Sequence, residues 1–424
     1  MITLRKQHQR YEKYRKSGVE WLGEIPEEWE NRKIKYITRL IAGQSPPGES
    51  VNSDGLGYSF LQGNAEFGSI YPSAKYHCET PNKIALANDI LLSVRAPVGA
   101  LNIADQTYGI GRGLMAVRTV NWNYCWYLLQ AINPIIVAQG AGSTFQAVTA
   151  NQIGNIQVPV PNPSCQSSIA SYLDVKCALI DGIIAKKQRQ IELLKEKRAA
   201  IINRAVTRGL DEDVEMKESG NFGEVPKVWS EQRLKNVVQL IKTGTTPSTK
   251  DISFFDGIKT WFTPSDFEHF LLKDSSRTIS ESAIQNGECR LFPAGSVLLI
   301  CIGATLGKVG YSEEEFCCNQ QINVIVPSNS MNHRFIAYFL LAIQELIKSF
   351  SLVTTMAILN QDRLRQIPII VPSCAEQDRI ADYIDQKTAR IDSVIEINEH
   401  SISLLSEYKT SLISHAVTGR IKVA

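Results

Sequence analysis

Long apolar runs are missing from this 424-residue chain: the longest, residues 335–343, falls well short of the ~20 residues that a membrane helix needs. Also missing is any C-x-x-C pair. The nine cysteines are an odd number, Cys317 and Cys318 are adjacent, and His77-Cys78 has no partner pair at zinc spacing. Neither a disulfide framework nor a zinc site is expected. Reduced thiols in a cytoplasmic protein are the plainer reading. Charge of one sign is missing too. With 45 Lys+Arg against 43 Asp+Glu, bulk electrostatics cannot coat DNA, although local basic faces remain open to it. Residues 1–16 are basic and polar without an apolar core, unlike a secretory signal. A hydrophobic content of 44% and a charged content of 21% exclude wholesale disorder.

Catalytic signatures are equally scarce. Gly303-Ala304-Thr305-Leu306-Gly307-Lys308 has too few residues between its glycines for a phosphate loop, and Val309 stands where such a loop needs Ser or Thr. A tight turn between strands accounts for it better. Gly109-x-Gly111-x-Gly113 lacks dinucleotide spacing and opens onto a strand-like run. Glu215-x-Lys217 and Glu407-x-Lys409 fall in an acidic linker and on a helix, where solvated faces explain them. The six histidines form no arrangement with Ser, Cys or Asp that spacing defends. No Asn-Pro-Pro-aromatic tetrapeptide, as used by amino-methyltransferases, is present. No catalytic residue, metal site or cofactor is expected.

What the chain does contain, it contains twice. Gly23-Glu24-Ile25-Pro26-x-x-Trp29 recurs as Gly223-Glu224-Val225-Pro226-x-x-Trp229. Gly43-x-x-Pro46 recurs as Gly244-x-x-Pro247. Residues 161–181 match 372–392 at ten of 21 positions, including Gln166/Gln377, Tyr172/Tyr383, Asp174/Asp385 and Asp181/Asp392. The match continues to Ala205-Val206-Thr207 and Ala416-Val417-Thr418. Coincidence between amphipathic helices explains scattered Ile and Leu, but not matched Tyr and Asp.

Each copy has two parts. The first is rich in short apolar runs broken by Gly, Pro, Ser, Thr and Asn. Runs at 90–94, 114–117, 296–302 and 322–326 predict strands, and 124–131 and 335–350 predict helices. The second part predicts one long helix. Residues 164–208 hold no proline, with Pro163 before and Gly209 after. Apolar residues recur at three-four spacing, among them Ile169, Ile180, Ile191 and Ile202, then Ile380, Ile391, Val394, Leu405 and Leu412. Each helix would be on the order of 60 Å long at ~1.5 Å per residue. Two such helices in one chain are expected to pair as an antiparallel coiled coil, with the two domains at its opposite ends. The fold class is therefore α+β. The divisions are an arm at 1–23, domains at 24–162 and 224–373, long helices at 163–210 and 374–424, and a linker at 211–223. Joined end to end, the chain would read domain, helix, domain, helix around a circle.

Binding chemistry sits in the Gly-rich turns of both domains. The candidates are Gln44, Ser45, Gln62, Asn64, Arg95, Arg112, Ser143 and Thr144 in the first. In the second they are Thr243, Thr245, Ser265, Asp266, Lys308, Asn319, Gln320, Gln321 and Thr355. Asn and Gln read adenine, Arg and Lys read guanine, and hydroxyls hold phosphates. Taken singly, each is more readily explained as a turn residue or cap than as a ligand contact. The stretch 185–208 carries eight basic residues against Glu192 and Glu196. A solvated helix face explains them as well as a surface facing phosphates or a partner does.

The combination resembles the specificity subunit of type I restriction-modification enzymes over essentially the whole chain. The residues carrying the resemblance begin with Ser17-Gly18-Val19-Glu20-Trp21-Leu22-Gly23-Glu24-Ile25-Pro26-x-x-Trp29 and Thr243-Gly244-Thr245-x-Pro247. Ile302-Gly303-Ala304-Thr305-x-Gly307-Lys308 with Asn319-Gln320, and Val371-Pro372 with Glu376-Gln377-x-x-Ile380, complete them, each long helix ending in Val-Thr. Two departures stand out: Cys165-Gln166 replaces Glu-Gln, and Gly111-Arg112 stands where the second half has Asn319-Gln320. The resemblance implies two target recognition domains, each reading half of a bipartite site in double-stranded DNA. It implies helices that set the spacer and dock two methyltransferase subunits, with restriction/translocase subunits joining through them. It implies a non-catalytic chain without membrane attachment. A free-standing duplicated DNA-binding regulator, a single-chain restriction or modification enzyme and a non-DNA scaffold are the alternatives.

Overall fold

The computed structural model describes residues 9–140, 146–353 and 357–423. The chain divides into two compact units, residues 1–187 with 400–424 and residues 188–399. Both long helices contribute to each unit.

In the first unit a four-stranded sheet runs in the order Leu101–Ile103, Ile90–Ser93, Leu114–Arg118, Arg39–Ala42. Every neighbouring pair is antiparallel. Its two central strands are covered on both faces. Ile90, Leu92, Met115 and Val117 share a core with Leu128 and Leu129 of the helix Trp122–Ala131. Leu91, Leu114 and Ala116 instead share one with Leu61, Tyr108 and Ile110 of a second sheet. Side chains alternate across a strand, so a strand buried on both sides must read as an unbroken apolar run. That second sheet has the order Val51–Asn52, Tyr76–Cys78, Tyr58–Leu61, Tyr108–Ile110, Ile84–Ala85.

The second unit repeats this plan. Val238–Thr243, Ile322–Pro327, Ser296–Ile300 and Val309–Ser312 form the equivalent sheet. Val297, Leu299 and Ile325 join the core of Phe335 and Phe339. Leu298, Ile300, Ile322 and Val324 join that of Phe262, Phe292 and Phe316. Lys259–Phe262 runs parallel to Cys317–Cys318, as Tyr58–Leu61 does to Tyr108–Ile110. The helix expected over 335–350 is in fact two, His333–Ala342 and Gln344–Ser349. The backbone leaves helical geometry at Ile343, and both Ile343 and Ile347 turn into the core.

The long helices are Pro163–Arg208 and Cys374–Val417. Pro163 is the first helical residue rather than the one before it, where a missing N–H costs nothing. In the first unit Ile169, Ala170 and Leu173 share a core with Leu412, Ile413 and Ala416, and Lys409 Nζ donates to Asp181 at 2.7 Å. In the second unit Arg198 pairs with Asp392 at 2.9 Å and Lys195 with Glu399 at 4.0 Å. Advancing along one helix means retreating along the other, so they run antiparallel there. The apolar stripe departs from the expected one at Val394, which is 38% exposed while Ile395 is buried. Much of the basic stretch is neutralised locally: Arg189, Lys195, Arg198, Arg204 and Arg208 all stand in ion pairs with carboxylates.

Both helices end the same way. Gly209 and Gly419 take left-handed φ angles of 75° and 74°, which only glycine adopts without strain. They lie against Trp229 and Trp29 respectively. Each tryptophan carbonyl accepts from a basic side chain, Lys217 at 2.5 Å and Arg15 at 2.6 Å. Those bases belong to strand pairs that precede each domain, Met216–Ser219 with Gly223–Pro226 and Tyr14–Lys16 with Glu24–Pro26.

The helix starts are tied down by the duplicated glutamine. Gln377 is fully buried. Its Nε2 donates to Pro372 O at 3.1 Å and Ser330 O at 3.3 Å, and its Oε1 accepts from Asn332 N at 2.8 Å. Gln166 Nε2 donates to Pro161 O at 2.8 Å, and its Oε1 accepts from Asn121 Nδ2 at 2.7 Å. Replacing Gln377 with leucine would strand the Asn332 N–H without water. Gln377→Leu should cost about 1–3 kcal/mol, read as a lower urea midpoint followed by tryptophan fluorescence. An unchanged midpoint would show that the amide contributes nothing net.

Candidate nucleic-acid interface

Polar side chains gather in each unit where strands leave the doubly covered sheet. In the first unit Gly43 N–H donates to Leu114 O at 2.9 Å and Gln44 N–H to Ile110 O at 3.0 Å. In the second, Gly244 N–H donates to Ile322 O at 3.0 Å and Thr245 N–H to Cys318 O at 2.8 Å. These bonds pin the same turn against the same strand connection. No side chain fits between them. A Cβ on Gly43 would lie 2.2 Å from Gly111 O, and one on Gly244 would lie 2.2 Å from Cys318 O.

The turn hydroxyls then cross to the facing turn. Ser45 Oγ accepts from Gln62 Nε2 at 2.8 Å and from Arg112 N at 3.5 Å. Thr246 Oγ1 donates to Gln320 Oε1. Gln44, Ser45, Gln62 and Arg112 thus form one cluster, in which Gln44, Gln62 and Arg112 are exposed. Arg95 is exposed beside it, because Val94 N–H donates to Gly113 O at 2.9 Å. Asn64 follows Gln62, and its carbonyl closes a turn with Phe67 N at 3.1 Å. Ser143, Thr144 and Thr355 lie outside the described residues.

In the second unit Thr245, Gln320 and Gln321 converge, while several neighbours are occupied internally. Thr243 Oγ1 donates to Asn323 at 2.7 Å and accepts from Gln361 Nε2 at 2.6 Å. Asn319 bonds Gln321 twice at 3.1 Å, leaving Gln320 pointing outward and exposed. Asp266 Oδ2 accepts from Thr263 N and Oγ1, each at 2.7 Å, and Oδ1 accepts from Ser276 N at 2.8 Å. Burial raises its pKa, but these hydrogen bonds outweigh burial and hold the carboxyl below its ordinary value. Asp266 therefore stays anionic and serves its own turn. Ser265 Oγ meets Thr263 Oγ1 at 2.7 Å. Lys308 is exposed in a tight hairpin, whose first strand is joined to the cluster by Cys301 N–H donating to Gln321 O at 2.8 Å. Among the described residues no group of three or more His, Cys, Asp or Glu is placed to hold a metal ion.

The duplicated architecture agrees with comparisons to known proteins. The family described as "Type I restriction modification DNA specificity domain" matches residues 26–193 and again 226–402. The chain belongs to that family. A Methanocaldococcus jannaschii protein, provisionally named as the MjaX specificity subunit of a type I restriction enzyme, is 38% identical over 204 residues, 46% of each chain. The chain thus aligns with less than half the length of that relative. The EcoDI specificity subunit of Escherichia coli is 22% identical over 420 residues, 94% of this chain and 90% of that one. The MjaVIII specificity subunit of M. jannaschii is 23% identical over 424 residues, 94% of each. A solved chain from work on complex assembly and conformational transition of the type I R-M system superposes with a TM-score of 0.71. It covers 93% of this chain and 98% of that one at 15% identity, a likeness of fold.

Within this specificity fold two further basic residues reach the cluster that residue-by-residue reading passed over. Arg290 N–H donates to Thr245 Oγ1 at 3.0 Å and its Nη1 to Thr243 O at 3.3 Å. Lys83 is exposed and its carbonyl accepts from Ile110 N at 2.9 Å. Their signal is non-local. Phe292 bridges Phe316 as Ala85 pairs with Tyr108, and Arg290 and Lys83 each stand two residues before that pairing.

Gly244→Ala should push the 243–247 turn off the Cys318 carbonyl while leaving the first unit intact. The expected readout is faster backbone hydrogen exchange at Thr245 and Asn319, with exchange at Gln44 unchanged. Unchanged exchange at Thr245 would mean that the turn is not held by the close approach of its glycine.

Proposed function

We propose that this chain is the DNA-reading specificity subunit of a type I restriction-modification complex, each unit reading one half of a bipartite site. The observation that carries this reading is the duplicated cluster. Two copies of one backbone frame, each backed by its own cores, display different exposed side chains: Gln44, Gln62 and Arg112 in one, Gln320, Arg290 and Lys308 in the other. Amide and guanidinium groups in a rigid frame suit base-edge readout, and glycine amides and hydroxyls suit phosphates. The chain itself supplies no catalytic group, metal or cofactor. It works in the cytoplasm with methyltransferase subunits, through which restriction/translocase subunits join.

The long helices provide both the spacing and the docking faces. Val175 at 68%, Leu179 at 60% and Ile183 at 38% exposure stand four residues apart on the first helix. Leu404 and Tyr408, 51% and 41% exposed, do the same on the second. Apolar residues at that spacing line one face, and an exposed apolar face suits a protein partner. Two methyltransferase subunits are the proposed occupants.

Replacing residues 24–160 with the equivalent segment of another family member should change one half of the methylated motif and leave the other unaltered. Methylome sequencing of cells carrying the chimera reads this directly, and a change in both halves would refute one unit per half-site. Leu179→Asp should weaken methyltransferase association at least tenfold in pull-downs, with the thermal melt of the free chain almost unchanged. Full retention of the partner would place docking elsewhere. Four residues inserted after Lys187 add about one helical turn, roughly 6 Å, and nearly keep the apolar stripe in phase. The half-sites should persist while the spacer grows by about one or two base pairs. An unchanged spacer in an active variant would show that helix length is not the ruler.

A further inference from the structure

We propose that Arg290 reads a guanine in the half-site of the second unit, an inference that rests on the DNA-reading function above. Three observations support it. First, Arg290 is exposed and is held at both ends of the residue by a single turn, its backbone N–H on Thr245 Oγ1 and its Nη1 on Thr243 O. A guanidinium carries five N–H donors, so one bond to a carbonyl orients the fork and leaves most of it available. Second, its charge is not consumed by a carboxylate. Several arginines of the long-helix region are paired, Arg198 with Asp392, Arg334 with Asp382 and Asp385, and Arg379 with Asp211. Among the described ion pairs Arg290 has no such partner, and the residues it bonds, Thr243 and Thr245, are neutral. Third, the station is duplicated. Lys83, whose carbonyl accepts from Ile110 N at 2.9 Å, lies two residues before the Ala85–Tyr108 pair, as Arg290 lies two residues before the Phe292–Phe316 bridge. Each unit therefore sets a base at the same edge of its strand-exit cluster, and beside Lys83, Asn82 Nδ2 donates to Ser45 O at 3.3 Å.

The side chains at the two stations differ in what they can read. An oriented arginine fork matches the O6 and N7 acceptors of guanine with two hydrogen bonds, which a lysine supplies less selectively. The structure thus assigns the guanine-specific contact to the second unit's station.

The test uses the full chain assembled with its methyltransferase subunits and a duplex library randomised across the bound region. Arg290→Gln removes the charge, and Arg290→Lys keeps the charge but loses the fork. Both should relax preference for guanine at one position of one half-site by about tenfold or more, with the other half-site unchanged. A uniform loss across all sequences, with the salt dependence reduced by about one ion, would make Arg290 a phosphate contact and overturn the proposal. Unaltered preferences in both variants would overturn it too. If the wild-type complex selects no sequence at all, the DNA-reading function itself fails, a result distinct from either of these.

Discussion

The constraint on which the rest depends is the burial of one sheet from both sides. In each unit the central strands, Ile90–Ser93 with Leu114–Arg118 and Ser296–Ile300 with Ile322–Pro327, have short helices on one face and a second sheet on the other. A strand covered twice has no face on which to carry polar chemistry. Exposed function is confined to where strands end. The cluster of turns at 43–45, 62–64 and 111–113, with its counterpart at 244–246, 263–265 and 319–321, occupies those ends. Backbone hydrogen bonds across the turns keep them there, so the side chains are presented by a frame rather than by free loops.

The same economy governs the long helices. Each begins on a buried glutamine and ends on a glycine packed against a tryptophan, so both termini are specified by a few contacts that recur in the two units. Where the copies differ, the contact is replaced rather than lost. Trp229 Nε1 donates to Glu376 Oε2 at 2.9 Å. At the equivalent place the first unit has Cys165, whose Sγ meets the Tyr11 hydroxyl at 3.6 Å while Tyr11 packs edge-on against Trp29. Burial and this contact push the Tyr11 hydroxyl well above its ordinary pKa, so it remains a neutral partner for the thiol. An ionic cap and an aromatic one hold the same helix start.

Much of this was legible in the sequence because duplication filters noise. Matched Gln166/Gln377 and Tyr172/Tyr383 announced paired helices, and unbroken runs at 90–94 and 296–302 announced strands. What escaped has physical reasons. Val394 and Ile395 are adjacent and both apolar, and spacing alone cannot decide which faces inward when the neighbouring helix sets the rotation. The run 335–350 is apolar enough for one helix, but the core is filled better when the chain bends at Ile343. Asp266 looks like a ligand-facing acid in sequence, yet, as the capping residue three positions after Thr263, it accepts from Thr263 and Ser276 instead. Arg290 and Lys83 were invisible for the opposite reason: what brings them to the cluster is a strand register set by residues more than twenty positions away.

Those same residues show how such a frame changes what it displays without changing how it folds. The backbone bonds that hold Gln44 and Thr245 involve only amides and carbonyls, and the positions that must be glycine face backbone, not solvent. Selection on folding therefore constrains Gly43, Gly244, Gln166 and Gln377 tightly. It is indifferent to whether the next exposed position is Arg112 or Gln320, or whether the strand edge carries Lys83 or Arg290. The frame resides in the pinned atoms and the exposed chemistry in the side chains beside them, and the two share almost no atoms. A substitution at an exposed position then leaves the backbone bonds of the frame untouched. A substitution at a pinning glycine forces the backbone itself to move. That separation lets one architecture, duplicated in a single chain, carry two different sets of exposed donors and acceptors on two scaffolds of one plan.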